Sequence, residues 1–343
     1  MKIIFFAPYN ISENTNLTLN SAPRIRCRNI YESLQKKCEV ILVGGDARER
    51  RRKINKLVKG NLDEIDGFYM ESANCSLKRF DIDFLKTICN RGIPMSLFYR
   101  DIYWRFPDYS KTLYQKLKYR KKLKKSRKQF HFLKKTINII YSQTKDFASF
   151  AELNPQNILP PAGNVRQLEK DSTVGILFSG SQKDGFHHVL KANEILVEQR
   201  YKYSFFIITQ NAKFQIKDNI KVYPIISSDV LNKVIIGLIP RNSTPYHKLC
   251  LPLKFMQYLS YGIPVICQRL PAFERYHDQY NICLFFDGTS EDLAEKIKEL
   301  VQNKSLRNTM SQNALNAIVT KENWSDRIQT ILSDFDKIKV GEV

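Results

Sequence analysis

The chain has 343 residues, 43% hydrophobic and 26% charged, a length and balance that exclude a disordered polymer and admit two globular domains with separate cores. Lys and Arg number 55 against 34 Asp and Glu, a net charge of +21, so the partners to expect are polyanions, phosphorylated substrates or an anionic surface. Seven cysteines, at 27, 38, 75, 89, 250, 267 and 283, show no Cys-x-x-Cys spacing, which argues against a zinc site and a disulfide framework.

Residues 2–7, rich in Ile and Phe, read as a buried parallel strand. Pro8 and Asn10 end that apolar run too early for a signal peptide or membrane span, and no later run is long enough, so the expectation is a cytoplasmic protein. After a polar loop, Ser21-Ala22-Pro23-Arg24-Ile25-Arg26 opens a helix to about Gln35, followed by a strand over 39–43. In a doubly wound sheet, ligands gather at the carboxyl ends of strands. Tyr9, Asn10, Arg24 and Arg26 therefore fall near a ligand site, with surface solvation as the plain alternative for the arginines. The alternation goes on through a helix near 48–59, a strand near 65–70, a helix near 80–90 and a strand over 95–99. Asp81-Ile82-Asp83 opens the third helix and reads as a local cap.

The strand over 95–99 feeds Arg100-Asp101-Ile102-Tyr103-Trp104-Arg105-Phe106. Aromatic faces stack sugars, and Arg and Asp bond hydroxyls and phosphates. Arg100, Tyr103 and Trp104 are accordingly candidate acceptor contacts, with Asp101 as general base or hydroxyl anchor. The competing reading is a structural Arg100–Asp101 ion pair with the aromatics packed under the next helix. That segment, 111–135, a helix or helix pair, carries twelve Lys or Arg and no acid, interleaved with Tyr114, Leu117, Tyr119, Leu123, Phe130, Phe132 and Leu133. It fits a peripheral docking surface for anionic lipid headgroups, or simply a solvated face. A strand near 137–142, a helix over 144–153 and a strand over 157–159 bring the first half to six strands.

Pro160-Pro161-Ala162-Gly163-Asn164 breaks the pattern, and a strand over 173–178 restarts it. The turn Ser179-Gly180-Ser181 with Lys183 nearby allows backbone N–H groups and a cation to approach an anion, ahead of a helix from Phe186. Strands follow at 204–209, 221–226 and 234–239, with a short helix after Ser228. Tyr223 and Pro224, at a strand end, are placed to hold a nucleobase. Arg241, Asn242 and His247 sit in the loop after the strand over 234–239, a place that makes them neighbours of a nucleotide-sugar donor, with plain solvation as the alternative for a lone His. A helix over 252–261 opens on Pro252 and closes at Gly262. Leu253, Met256 and Leu259 share its core face, and Lys254, Gln257 and Tyr261 the polar one. The N-terminal dipole and Lys254 together suit a phosphate or diphosphate. Strands over 263–267 and 282–286 and helices near 290–301, 304–318 and 323–337 complete the second half.

The order Pro-x-Lys-x-x-Gln-Tyr-x-Ser-x-Gly-x-Pro-Val at 252–265 resembles the signature of GT-B glycosyltransferases, particularly the large retaining family often called family 4 and its relatives. The resemblance implies an α/β chain of two Rossmann-like doubly wound domains facing across a cleft. Residues 1–163 would take the acceptor and 164–320 the nucleotide sugar, and 321–343 would form a helix crossing back to the first domain. It implies a UDP- or GDP-sugar donor with no further cofactor, its diphosphate held by Ser179, Gly180, Ser181, Lys183, Pro252, Leu253 and Lys254. The acceptor would be a glycan or lipid-linked intermediate of surface polysaccharide synthesis. Asp101, Lys254 and Gln257 are the catalytic candidates, and the lysines with the helix start would neutralise the leaving diphosphate without a metal. The glutamate pair usual in that family falls on Leu249 and Gln257, neither acidic, so the resemblance does not extend to the stereochemical outcome. Two other readings stay open. One is a nucleic-acid binder gripping phosphates with its basic surface, which leaves the twofold alternation unused. The other is a catalytically silent GT-B partner subunit.

Overall fold

The computed structural model describes residues 1–11, 21–72, 77–106, 113–169, 173–181, 185–209 and 218–342, and of residues 113–119 the backbone alone. The first half runs β1 (Lys2–Ala7), α1 (Ala22–Gln35), β2 (Glu39–Gly44), α2 (Ala47–Lys59), β3 (Gly67–Glu71), α3 (Arg79–Asn90), β4 (Met95–Phe98), a 3₁₀ turn (Tyr103–Arg105), α4 (Leu113–Thr136), β5 (Ile139–Tyr141) and α5 (Lys145–Ala151). The second runs β6 (Gly175–Ser179), α6 (Phe186–Glu198), β7 (Ser204–Ile208), β8 (Ile220–Tyr223), α7 (Ser228–Asn232), β9 (Val234–Ile239), a 3₁₀ turn (His247–Leu249), α8 (Leu253–Ser260), β10 (Val265–Gln268), α9 (Pro271–Tyr280), β11 (Cys283–Phe286), α10 (Ser290–Gln302), α11 (Lys304–Thr320) and α12 (Trp324–Lys339). The chain divides into two compact units, Met1–Pro160 with Trp324–Val343, and Pro161–Asn323.

In the first unit an all-parallel sheet has the order β2-β1-β3-β4-β5. Parallel strands are covered on both faces, which is why residues 3–7 are apolar without alternation and fully buried. The expected sixth strand over 157–159 does not form: Ile158 makes a single bridge to Ser142. Pro160 and Pro161 follow at once, and without N–H groups they cannot extend a ladder. Asp46 opens α2, accepting from the Arg48 and Glu49 amides at 2.8 Å while its own amide donates to Glu49. Asp81 caps α3 as expected, accepting the Lys78 amide at 2.8 Å, and also takes Arg50 of α2 in a buried two-pronged pair at 2.9 and 3.1 Å. The terminal helix α12 packs against α1 in this unit. Gly67 gives it room, because a Cβ there would stand 2.7 Å from the Phe335 ring.

In the second unit the order is β11-β10-β9-β6-β7-β8, again all parallel. One face is covered by α6 and α10 through Val189, Leu196, Leu293 and Ile297. The other is covered by α8, α9 and α11 through Phe255, Met256, Leu259, Phe273 and Ile318. Pro252 is the cap of α8 rather than its first residue, and α9 is a helix the periodicity did not announce. Both sheets reverse direction beside their first strand, between β1 and β3 and between β6 and β9. A doubly wound sheet opens its crevice at the carboxyl ends of the strands flanking such a point.

Candidate functional site

In the second unit, β6 ends at Ser179 and β9 at Ile239, side by side at the reversal. From α8, Lys254 reaches across so that Nζ donates to the Ser179 carbonyl at 2.9 Å, 5.2 Å from the centre of the Phe178 ring. Lys254 and Gln257, one turn apart, are the only residues of α8 that are not buried. The helix lies close on the sheet because β9 carries Gly237, where a Cβ would come 2.5 Å from the Tyr258 ring. Gly180 takes φ +153 and stands under the Lys254 ammonium, a Cβ there falling 3.0 Å from Nζ. Its N–H, however, donates to the Ile208 carbonyl at 3.2 Å. The expectation that the whole turn cradles an anion with free amides is therefore corrected at Gly180, whose amide prolongs the β6–β7 ladder. Ser181 is exposed beside it, and Lys183 lies outside the described residues.

The loops after β6 and β9 touch. Gly185, at φ +73, caps α6 and lies so near Pro240 that a Cβ would stand 1.5 Å from the Pro240 carbonyl oxygen. The start of α6, which has no side-chain cap, is thereby seated beside Arg241. The Arg241 Nε is buried and has no hydrogen-bond partner among the described residues. His247 Nδ1 meets the Asn242 carbonyl at 2.8 Å, which makes that nitrogen the protonated one, and its amide donates to Thr244 Oγ1 at 3.1 Å. Lys254 at the end of β6, the buried Arg241 just after the end of β9, and the starts of α6 and α8 thus lie at the carboxyl ends of two neighbouring strands. Fixed positive charges and backbone dipoles so gathered favour a bound anion. Pro252 and Leu253 are buried; Pro252 has no N–H and its carbonyl accepts the Phe255 amide at 3.0 Å, so of the two Leu253 alone has a backbone N–H to offer such a ligand. Tyr223 ends β8, two strand spacings or roughly 10 Å from β6, and is half-buried with its ring 6.3 Å from that of Phe206.

In the first unit, the ends of β1, β3 and β4 gather a second polar cluster. Arg100 donates from Nε to Asp101 at 2.7 Å and from a terminal nitrogen to the Tyr9 hydroxyl at 3.0 Å, and its amide donates to Ser72 Oγ at 3.2 Å. Arg100 and Asp101 thus form the ion pair weighed from sequence, with side chains 18% and 10% exposed. Burial pushes the Tyr9 hydroxyl well above its ordinary pKa. Arg26 is different from the expectation. It lies on the buried stripe of α1 with Cys27, Ile30 and Leu34, its Nε 3.1 Å from Glu71 and its guanidinium 3.5 Å from the Phe98 ring centre. Burial opposes its charge, but Glu71 and Tyr69 more than offset that and raise its pKa. Arg26 is therefore a buried ion-pair partner of Glu71 through Nε, and its two terminal nitrogens are buried with no hydrogen-bond partner among the described residues. Glu71, fully buried and accepting the Tyr69 hydroxyl at 2.7 Å, is the residue sequence reasoning missed. Its signal was a lone acid closing an apolar strand. Arg24 is half-buried at the start of α1.

Trp104 turns the other way: Nε1 donates to the Tyr99 hydroxyl at 3.1 Å and the ring lies 5.8 Å from Phe130 of α4. Tyr103 is 53% exposed. The basic segment is one helix, α4. Among its described side chains Ser126, Gln129, Phe130 and Leu133 are buried, and Arg120, Lys121, Lys122, Lys124, Lys125, Arg127 and Lys128 are exposed. Among the described residues no group of three His, Cys, Asp or Glu is placed to hold a metal, and no helix is long and apolar enough to cross a membrane. The six described cysteines are free thiols.

Two doubly wound parallel α/β units in one chain, each with its own strand-end crevice, define the GT-B fold. Residues 213–333, within which the α8 motif falls, match a family described as glycosyl transferase-like. Solved structures agree across the full length. A glycosyltransferase from Rickettsia africae ESF-5 is similar at TM-score 0.62 and 9% identity, covering 99% of each chain. WaaG, a glycosyltransferase involved in lipopolysaccharide biosynthesis, is similar at TM-score 0.61 and 13% identity, covering 98% of this chain and 100% of that one. MnaA of S. aureus, in a co-structure with UDP, is similar at TM-score 0.54 and 11% identity, covering 100% and 97%. No curated protein matches the chain by sequence.

Proposed function

We propose that the protein is a glycosyltransferase that moves a sugar from a nucleotide diphosphate sugar, bound by the second unit, to a glycan or lipid-linked acceptor bound by the first. The observation that carries this reading is the seat of the Lys254 ammonium on the Ser179 carbonyl at the β6–β9 reversal. In the reaction the bond from the anomeric carbon to the diphosphate oxygen breaks and negative charge grows on the leaving group. Lys254, Arg241 and the helix starts supply preorganised positive charge there, the electrostatic work that a metal performs in other transferases. Gln257, one turn on from Lys254, contacts the sugar. The acceptor hydroxyl forms the new bond to the anomeric carbon and gives up its proton. Asp101 takes the role of base or hydroxyl anchor, held in orientation by Arg100.

UDP in the MnaA co-structure supports a uridine donor, and the likeness to WaaG supports an acceptor of the lipopolysaccharide type. The exposed cations of α4 fit docking on the inner face of an anionic membrane. The decisive test is a thermal-shift panel of UDP, GDP, CDP and dTDP sugars, followed by donor hydrolysis in the wild type and in Lys254→Ala. Stabilisation by one nucleotide class and hydrolysis lost in the variant are the expected results. Stabilisation by none of them, together with salt-dependent RNA binding, would replace this reading with the nucleic-acid one.

A further inference from the structure

A cavity of about 690 Å³ opens in the first unit between the 3₁₀ turn at 103–105, α4 and the end of α5. Its apolar walls are Trp104, Phe130 and Phe150. Phe150 stands 41% exposed, backed by Phe106 at 5.2 Å in a stacked arrangement. The polar lining is almost all cationic: Arg105, Arg127 and Lys134, with His131 beside them, against the single carboxylate of Glu152. That carboxylate is already engaged by Arg105 at 3.2 Å, and the Glu152 carbonyl takes Lys134 at 2.7 Å. Arg127 and His131 are exposed toward solvent.

We infer that this cavity binds one phosphorylated lipid molecule, the phosphate against Arg127 and Lys134 and the chain against Phe150 and Trp104. Three features select that chemistry. The lining offers donors and almost no acceptors, so it suits a ligand with acceptors only; a bare sugar, whose hydroxyls both donate and accept, would leave its donors unmatched. With Arg105 paired to Glu152, the charges of Arg127 and Lys134 are left over, and two positive charges favour a group of more than one negative charge. Three aromatic rings, one of them left in water, favour an apolar chain attached to that group, and a cavity of this size falls within the range that encloses a small ligand. The turn that forms one wall begins two residues after Asp101, so a phosphate held here belongs to the acceptor side. The acceptor consequence rests on the glycosyltransferase reading; the binding itself does not.

The test is calorimetric titration of the full chain with decyl phosphate below its micelle concentration, with inorganic phosphate and decanol as separate arms. Decyl phosphate should bind at least about tenfold more tightly than either, and Arg127→Glu should weaken it by at least about tenfold, since it removes a charge-assisted hydrogen bond and adds a repulsion. Phe150→Ser should weaken it by roughly tenfold through lost apolar contact. Lys86→Glu, an exposed control on α3, should leave it unchanged. Equal binding of inorganic phosphate, equal binding of decanol, or indifference to both pocket variants would overturn the inference. So would binding confined to phosphatidylglycerol vesicles, because that marks a surface and not a single-molecule site. Stabilisation by the panel of UDP, GDP, CDP and dTDP sugars, followed in the same samples, separates the two proposals. If one of them stabilises the chain while decyl phosphate fails, only the lipid site falls. If none does while pocket-dependent binding holds, the glycosyltransferase reading falls and the site stands.

Discussion

Replacing Lys254 by Met keeps the aliphatic stem beside Phe178 and deletes the ammonium that sits 2.9 Å from the Ser179 carbonyl. A hydrogen bond from a charged donor to a diphosphate oxygen contributes about 1.5–3 kcal/mol. UDP affinity should therefore drop by roughly 10- to 150-fold at room temperature, since about 1.4 kcal/mol is tenfold. Folding should change far less. Lys254 is only partly buried and water can replace it at the Ser179 carbonyl, so the loss of stability should stay near or below about 1 kcal/mol. Isothermal titration with UDP, set beside urea unfolding, separates the two effects. Lys254→Arg should recover part of the affinity, and Lys248→Met, at an exposed lysine nearby, should lose none. Raising the salt concentration should also weaken UDP binding less in Lys254→Met than in the wild type. A dissociation constant within about twofold of wild type in Lys254→Met, or an equal loss in Lys248→Met, would refute the convergence of charge on this crevice.

Gly185→Ala places a methyl 1.5 Å from the Pro240 carbonyl at φ +73; main chain must move, and urea unfolding should show a loss above about 3 kcal/mol together with failed UDP binding. Asp81→Ala strands the buried Arg50 guanidinium and should cost about 3–5 kcal/mol by the same measurement. UDP affinity should be preserved in that variant, because the pair belongs to the other unit. His188 has its pKa pushed below the ordinary 6.5 by burial and by His187. The unfolded chain therefore takes up a proton that the folded chain refuses, and this contribution to stability is present above 6.5 and lost as pH falls toward the depressed value. His188→Asn should flatten the fall in melting temperature on acidification; an unchanged slope would show that the ring is not desolvated as described.

Much of the architecture was legible because the signals were local. Short β-branched and aromatic-rich apolar runs such as 3–7 and 234–239 read as strands covered on both sides, and the α8 segment announced itself by Pro252, Gly262 and a clean separation of Leu253, Met256 and Leu259 from Lys254 and Gln257. Where local signals were thin the reading missed. The helix α9 has ten residues of mixed aromatic and polar character and is held by burying Ala272 and Phe273 against α8 and β10. The 157–159 segment has strand-like residues but no partner able to pair beyond Ser142.

The candidate site divides along the same line. By itself, the order of residues determined which strand ends would carry charge, and that Lys254 would open a helix at one of them. Only the tertiary structure decided that this ammonium lands on Ser179, that Gly180 spends its amide on β7, that the half-buried Tyr223 packs its ring against Phe206, and that Arg26 turns inward to Glu71. The physical reason is that periodicity and propensity act within a few residues, whereas a buried charge is placed by whichever distant partner lowers its desolvation cost once the helices have closed over the sheet.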